Sequence, residues 1–479
     1  MDAVRVFKRA AARGPARWFA FDRDTAVSYA EADARSDAVA AALDERGAAG
    51  GAHLGLSCRD SIDLIIAVLG AWKAGALPAM IDPRTSDDQL PYFIEDIDAK
   101  LIACDPYLAD RLRAAGASNV VHLGSVSSDR RIGHAHNADA PLYLSYTSGS
   151  TGPPKGCVLK SGPVTLGTSC IADRLSLRMS DVILATTPAA SSFQLVAALL
   201  PALHVGATVG LVAGSDADEI WSIADAWRAS VLVAYPLTLS DMVNVTRGTT
   251  DSHFRLALSG GSPLAPRIKR DYRERLGIPL LESYGQSELG GFMALGRPDD
   301  GARSLRGFVG RPLPDRLAYV GAPDGVELSA GEVGEVMVAE GYFAGYLNKP
   351  AANAKTLAGG VLRCGDLAVA DANGYIKVLG RTSEGERAAR RGGFVREVED
   401  AYYEHPATKH AAVVECASDG EIHGFVELRS SHAASEEELS DCVGERVVQG
   451  LRPKRTTVVE SMPRTFSGKA DRMRLSNGC

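Results

Sequence analysis

Residues 146–156 read Tyr146-Thr147-Ser148-Gly149-Ser150-Thr151-Gly152-Pro153-Pro154-Lys155-Gly156. These eleven residues hold four serine or threonine hydroxyls, three glycines, two prolines and one lysine. No apolar periodicity runs through them, so the stretch is the interior of neither a helix nor a strand. It is a loop dense in hydrogen-bond donors. Backbone N–H groups in a glycine-rich turn form a concavity for anions, and the hydroxyls add donors. Glycine lets the backbone approach a ligand closely. Lys155 adds a point charge, and Pro153 and Pro154 stiffen the exit. The sum is a polyphosphate cradle. It differs from the common nucleotide P-loop, because no Gly-Lys-Ser/Thr ending stands four residues after a glycine.

Working outward, Tyr29–Arg46 and Ser61–Ala74 carry apolar stripes at helical spacing, and His53–Ser57 and Leu101–Cys104 read as short strands. Beyond the loop, strand candidates Val182–Thr186, Ala207–Val212 and Val231–Ala234 alternate with helical segments such as Ile220–Arg228. Strands alternating with helices argue for parallel sheets flanked by helices. From Arg306 to Leu379 the chain changes to short strands with glycine turns: Ala318–Val320, Val333–Val338, Leu362–Cys364 and Ile376–Val378. That reads as antiparallel β structure. After Gly380-Arg381 an arginine-rich loop leads into a compact α/β pattern. The expected fold is α/β. Residues 1–381 form a large N-terminal domain of helix-flanked, mostly parallel sheets plus a β subdomain, and residues 382–479 a small α+β C-terminal domain.

Among 479 residues, 46% are hydrophobic and 23% charged, as in an ordinary folded chain. A net charge of −7 argues against nucleic acid and anionic membrane as partners. Between Asp181 and Asp216 no charge occurs, yet Pro188, Pro201, His204, Gly206 and Gly210 interrupt the stretch. It reads as a buried strand, a core helix near Phe193–Leu203 and a second buried strand, each too short for a ~30 Å bilayer core. The opening MDAVRVFKRAAARGP lacks the apolar run of a secretory signal. Eight cysteines fall in no C-x-x-C pair and no zinc spacing, and read as reduced thiols of a cytoplasmic protein.

Tyr146–Gly156 resembles the signature loop of the adenylate-forming superfamily: acyl- and aryl-CoA ligases, peptide-synthetase adenylation domains and luciferases. Further segments resemble that family in order. Ser283-Tyr284-Gly285-Gln286-Ser287-Glu288 is similar to its Y-G-x-T-E motif. The resemblance implies that Tyr284 stacks on adenine and Glu288 helps hold Mg²⁺, a hard cation that takes oxygen ligands. Ser259-Gly260-Gly261-Ser262 matches the segment lining the adenine and acyl sites. Arg363-Cys364-Gly365-Asp366 matches the stretch whose aspartate binds both ribose hydroxyls, and Gly380-Arg381 the arginine closing the ribose and phosphate site. Pro463-Arg464-Thr465-Phe466-Ser467-Gly468-Lys469 resembles the C-terminal P-x-T-x-x-G-K, whose lysine bridges the attacking carboxylate and the α-phosphate.

The resemblance implies an ATP- and Mg²⁺-dependent enzyme that makes an acyl adenylate and passes the acyl group to a thiol such as CoA. Lys469, Glu288 and Lys155 are the expected catalytic residues, with Glu288 the metal ligand. Thr147, Ser148, Gly149, Ser150, Thr151, Gly152, Lys155, Gly261, Ser262, Tyr284, Gly285, Ser287, Asp366 and Arg381 are expected around ATP. Ser191, Phe193, Tyr235, Ser259, Gly260 and Tyr284 are expected around an aryl or medium apolar acid. No aspartate occurs in Ala189–Val196, which argues against an α-amino acid.

Two places depart from the family. Ser383 stands where a hinge aspartate or lysine is usual, before a C-terminal lid. Ala388-Ala389-Arg390-Arg391 replaces a Gly-Gly pair of the thiol tunnel, and the wall near Ser191 is small. The acceptor is therefore open between CoA, a carrier protein or amine, and nitrite activated for transfer to an aryl amine. A homodimer is compatible with the sequence.

Overall fold

The computed structural model describes residues 2–130, 132–133, 137–147, 154–245, 253–301, 303–339, 343–357, 360–430, 432–465 and 469–479. Strands such as Val231–Ala234 and Leu256–Ser259 are buried along their whole length, as expected where helices cover both faces of a parallel sheet. They belong to a nine-stranded sheet in the order Arg311–Pro312, Gly291–Leu295, Leu280–Gln286, Leu256–Ser259, Val231–Ala234, Val182–Ala185, Thr208–Leu211, Trp18–Phe21, Ala26–Ser28. From Leu280–Gln286 to Trp18–Phe21 every neighbouring pair is parallel. A seven-stranded sheet runs Phe343–Tyr346, Gly156–Lys160, Pro141–Tyr146, Leu77–Met80, His53–Ser57, Leu101–Cys104, Val120–His122. Helices such as Ile62–Ala74 pack between these sheets. That helix starts where Ser61 accepts the Leu64 N–H and stops at Gly75, whose φ of 69° suits glycine.

The uncharged stretch folds into the core: strand Val182–Ala185, helical turns from Ser192 to Val205, then strand Thr208–Leu211. Among the described residues no helix is long and apolar enough to cross a membrane. A four-stranded antiparallel sheet follows, Leu317–Gly321, Val333–Ala339, Val361–Ala370, Ile376–Arg381. Its register pairs Asp366 with Arg381.

The C-terminal domain is a three-stranded sheet, Thr408–Glu415, Ile422–Leu428 and Arg455–Val459, against helices Val395–Tyr403, Glu436–Gly444 and Arg472–Asn477. Two expectations need correction here. The arginine-rich stretch expected as a loop is a turn, Thr382–Glu384, and a helix, Gly385–Arg391, closed by Gly392 at φ 79°. Alanine, arginine and glutamate favour helix, and the i,i+4 spacing brings Arg387 and Arg391 together onto Glu415. Cysteine chemistry also differs: Cys416 and Cys479, 63 residues apart, form a disulfide, and the other six cysteines are free.

Ahead of the Ser283–Glu288 motif lies a buried ion pair. Lys269 Nζ meets Glu282 Oε2 at 2.7 Å, with both side chains at most 3% exposed, and also donates to the Ser304 carbonyl. Lys269→Met is expected to lower stability by ~3–5 kcal/mol, because it strands a buried carboxylate. Urea unfolding followed by tryptophan fluorescence checks this.

Candidate active site

A cleft of about 720 Å³ is lined by residues of both large sheets, of the four-stranded sheet and, from the C-terminal domain, by Lys469. The described ends of the signature segment, Tyr146-Thr147 and Pro154-Lys155, line it at the foot of a hairpin. Tyr146 pairs with Gly156 in the antiparallel ladder, Thr147 N–H donates to the Lys155 carbonyl at 3.0 Å, and Lys155 N–H donates to Thr147 Oγ1 at 3.0 Å. The loop base is thus fixed from both ends. Ser148, Gly149, Ser150, Thr151 and Gly152 lie outside the described residues.

At one end of the cleft Asp366 accepts from the Tyr284 hydroxyl at 2.6 Å and Gln286 Nε2 at 2.7 Å, and pairs with Arg381 at 3.2 Å. Burial raises the Asp366 carboxyl above the usual range, although Arg381, Tyr284 and Gln286 favour its anion. Tyr284 is therefore tied edge-on to the carboxylate. Gln286, the variable position of the motif, makes a further bond to the Cys364 carbonyl.

Beside the loop, Ser287–Leu289 forms a single turn closed by Gly290 at φ 55°. It presents Glu288, whose Oε1 accepts from the Tyr346 hydroxyl at 2.7 Å. Burial and the Glu288 charge push the Tyr346 hydroxyl far up, so it stays a donor. Lys155 Nζ lies 4.7 Å from the Tyr346 ring centre, over its face. The Glu288 carboxylate offers oxygen to a hard divalent cation, and the Lys155 ammonium offers positive charge to a polyphosphate.

Lys469 reaches the cleft from the C-terminal domain. Its Nζ is 5.4 Å from the Tyr235 ring centre and 3.4 Å from where a Cβ on Gly261 would lie. Gly261 has φ 73° and a Cβ there would stand 2.9 Å from Tyr235 Cε1, so only glycine leaves this passage open. Burial, with Arg381 adding repulsion, brings the Lys469 ammonium down to about 8.

The third corner is aromatic. Phe193 stacks on Tyr235 with centroids 5.5 Å apart and meets Phe292 at 5.6 Å. A Cβ on Gly260 would lie 2.5 Å from the Phe193 ring and 2.4 Å from Ser283 Oγ, so the ring rests directly on glycine backbone. Ser191 Oγ and the Tyr235 hydroxyl are 2.7 Å apart. The bulk missing beside Ser191 in the sequence is supplied from a different strand end by Tyr235. Ser259 is fully buried behind this wall, with its carbonyl taking Ser283 Oγ. Ser262 is half-buried and Ser383 exposed, the latter in the turn after Arg381. Asp60, pushed up to about 6 by burial, accepts the Ala189 N–H at 2.8 Å and so holds the Thr187–Phe193 segment.

Residues remote in sequence complete the arrangement. Asp241 accepts from His410 Nε2 at 2.9 Å, Lys409 Nζ at 3.0 Å and Arg464 at 2.7 Å, all from the C-terminal domain. Its carboxyl is held well below the usual carboxylate range by His410 and Arg464, against the opposing effect of burial. Arg270 pairs with Glu404 across the same interface. Tyr346 and Asp241 sit in no recognisable motif; sheet pairing and domain docking bring them to the site. Of the arginines after the Thr382–Glu384 turn, Arg387 and Arg391 pair with Glu415 and Arg396 with the Val378 carbonyl and Glu282, while Arg390 is exposed.

Two family models match the chain: AMP-binding enzyme over residues 7–347 and AMP-binding enzyme C-terminal domain over residues 397–469. The chain is 28% identical over 436 residues to the sulfoacetate–CoA ligase of Cupriavidus necator, covering 86% of this chain and 84% of that protein. It is 30% identical over 338 residues to the indoleacetate–CoA ligase of Aromatoleum aromaticum, covering 69% and 65%. Its fold matches the crystal structure of a benzoate CoA ligase from Burkholderia xenovorans with a TM-score of 0.89 at 22% identity, over 100% of both chains.

Proposed function

Because the chain belongs to the AMP-binding enzyme family and is an adenylate-forming ligase of the acid–CoA ligase type, we propose that it activates a carboxylic acid with ATP and transfers the acyl group to CoA. In the first step a carboxylate oxygen attacks the α-phosphorus, the bond to the β-phosphate breaks and pyrophosphate leaves. In the second, the thiol sulfur takes the acyl carbon and AMP leaves. The observation supporting this reading is the convergence of Lys469, Arg381 and Lys155 on one cleft that Glu288 also lines, with Asp366 paired to Arg381 at its edge. Catalysis there is positioning and charge neutralisation.

Asp366 serves as ribose acceptor, oriented by Tyr284, Gln286 and Arg381. Lys155, Thr147 and Ser287 face the phosphates. Glu288 is the residue to hold Mg²⁺, which when bound neutralises phosphate charge. Lys469 meets the carboxylate and α-phosphate together. Ser383 is the pivot of the C-terminal domain.

The aromatic corner bounds the acid. Phe193, Tyr235 and Phe292 leave a flat apolar slot next to Lys469 that suits a single aromatic ring or a medium apolar chain. Phe193→Ala is expected to shift preference to larger acids by about 10-fold in kcat/KM, measured across a homologous series of acids.

The reading is tested by pyrophosphate release with ATP, Mg²⁺ and a panel of aryl and alkyl acids, each alone, with CoA, with a pantetheinylated carrier protein and with nitrite. Acid-dependent release, accelerated by CoA with thioester formed, is expected. Release that needs nitrite, or none with any acid, overturns the proposal.

A further inference from the structure

Far from the cleft, at the tip of the hairpin joining strands Thr408–Glu415 and Ile422–Leu428, a second group of reactive side chains gathers. Cys416 leaves the first strand, His423 stands on the second, and Cys479 follows the helix Arg472–Asn477. Their ligand atoms all lie within 4.8 Å of one another. Cys416 is 2% exposed and His423 8% exposed. His423 Nε2 is buried and makes no hydrogen bond. A buried ring nitrogen left without one ordinarily costs stability, so an imidazole in this state, with a ring nitrogen within 4.8 Å of two sulfurs, asks for a ligand. Asp419 Oδ2 lies 3.4 Å from that nitrogen. That carboxylate stands outside the three clustered ligand atoms, on the imidazole side, and a side-chain rotation would make it the fourth ligand.

We propose that Cys416 and Cys479 in their reduced form, with His423 and Asp419, bind a zinc-class divalent cation, and that the disulfide is the oxidised, metal-free form of the same site. Two thiolates, an imidazole and a carboxylate are a borderline-soft, four-ligand set of the kind that selects zinc over magnesium or calcium. Opening the disulfide takes two electrons and two protons from a thiol or phosphine reductant. Binding then forms two metal–sulfur bonds and releases both thiol protons. Besides His423, Lys454 Nζ stands 3.0 Å from Asp419 Oδ2, and its exposed chain can move off when a metal arrives. Either form fastens helix Arg472–Asn477 to the sheet. That helix begins three residues after Lys469, and Arg472 ties it to the Val413 carbonyl and Glu399.

The whole protein, stripped of metal by chelator and reduced with a phosphine, is titrated with Co²⁺ as a spectroscopic stand-in for zinc. One Co²⁺ per chain with thiolate-to-cobalt absorption, displaced by Zn²⁺, is expected. Protein oxidised to the disulfide should take up none, a comparison that needs no substitution. Cys416→Ser and His423→Gln should each weaken binding by about 100-fold or more, and Cys442→Ser, at a cysteine elsewhere in the domain, should leave it unchanged. Reduced wild type that binds no metal, or binding that survives Cys416→Ser or His423→Gln, overturns the proposal.

Discussion

Lys469→Ala is expected to lower acyl-adenylate formation by about 10²–10³-fold while ATP affinity stays nearly unchanged. The ammonium lies at the junction of the aromatic corner and Gly261, held there by the C-terminal domain. Its charge matters most when negative charge builds on the transferring oxygen, so its loss should fall on kcat rather than on nucleotide binding. A pH signature comes with it. Burial and Arg381 bring this amine to about 8, so below that pH it is charged and above it increasingly neutral. The kcat/KM for adenylation should therefore decline as pH rises through about 8. The limb in kcat should lie higher, because bound triphosphate favours the charged form. Isotope exchange between pyrophosphate and ATP across pH, for wild type and Lys469→Ala, reads both effects; an unchanged alkaline limb in the variant would assign that limb to another group.

The second large effect is expected at Asp241, which touches no substrate. Removing its carboxylate releases His410, Lys409 and Arg464 at once, and losing a charge-assisted network that is partly exposed costs ~1.5–3 kcal/mol. The loss falls on the docked state of the C-terminal domain. Asp241→Asn should reduce adenylation by about 10- to 100-fold, while thioester formation from preformed acyl-AMP remains within about 2-fold, because the proposed pivot at Ser383 releases this docked arrangement between the steps. Equal loss in both half-reactions would mean that Asp241 supports the fold rather than the positioning of Lys469.

Much of this was legible in the chain. The alternation of buried strands and helices foretold the parallel sheets, because strands covered on both faces must be apolar throughout. The cleft residues Lys155, Glu288, Arg381 and Lys469 sit in local motifs whose spacing is set by short turns. Other features depend on tertiary contact and leave no local trace. Tyr346 meets Glu288 only because Phe343–Tyr346 pairs with Gly156–Lys160. Asp241 acquires its cations by domain docking. Gly385–Arg391 looked like loop because flanking glycines mask a short helix, and the Cys416–Cys479 bond joins cysteines that no motif links.

The chain passes between the domains as a single thread, through the exposed Thr382 and Ser383 after Arg381. Covalent geometry therefore does little to aim Lys469; ion pairs and a shared apolar patch across the seam do the aiming. Such a seam is weak by construction: each ~1.4 kcal/mol gained or lost moves the docked population tenfold. Its charged partners also feel the surrounding electrolyte, whose screening length is ≈ 8 Å at physiological ionic strength. The docked geometry proposed for the first step should thus be a population that ionic strength adjusts, and a seam with fewer charges would trade that adjustability for a domain slow to let go.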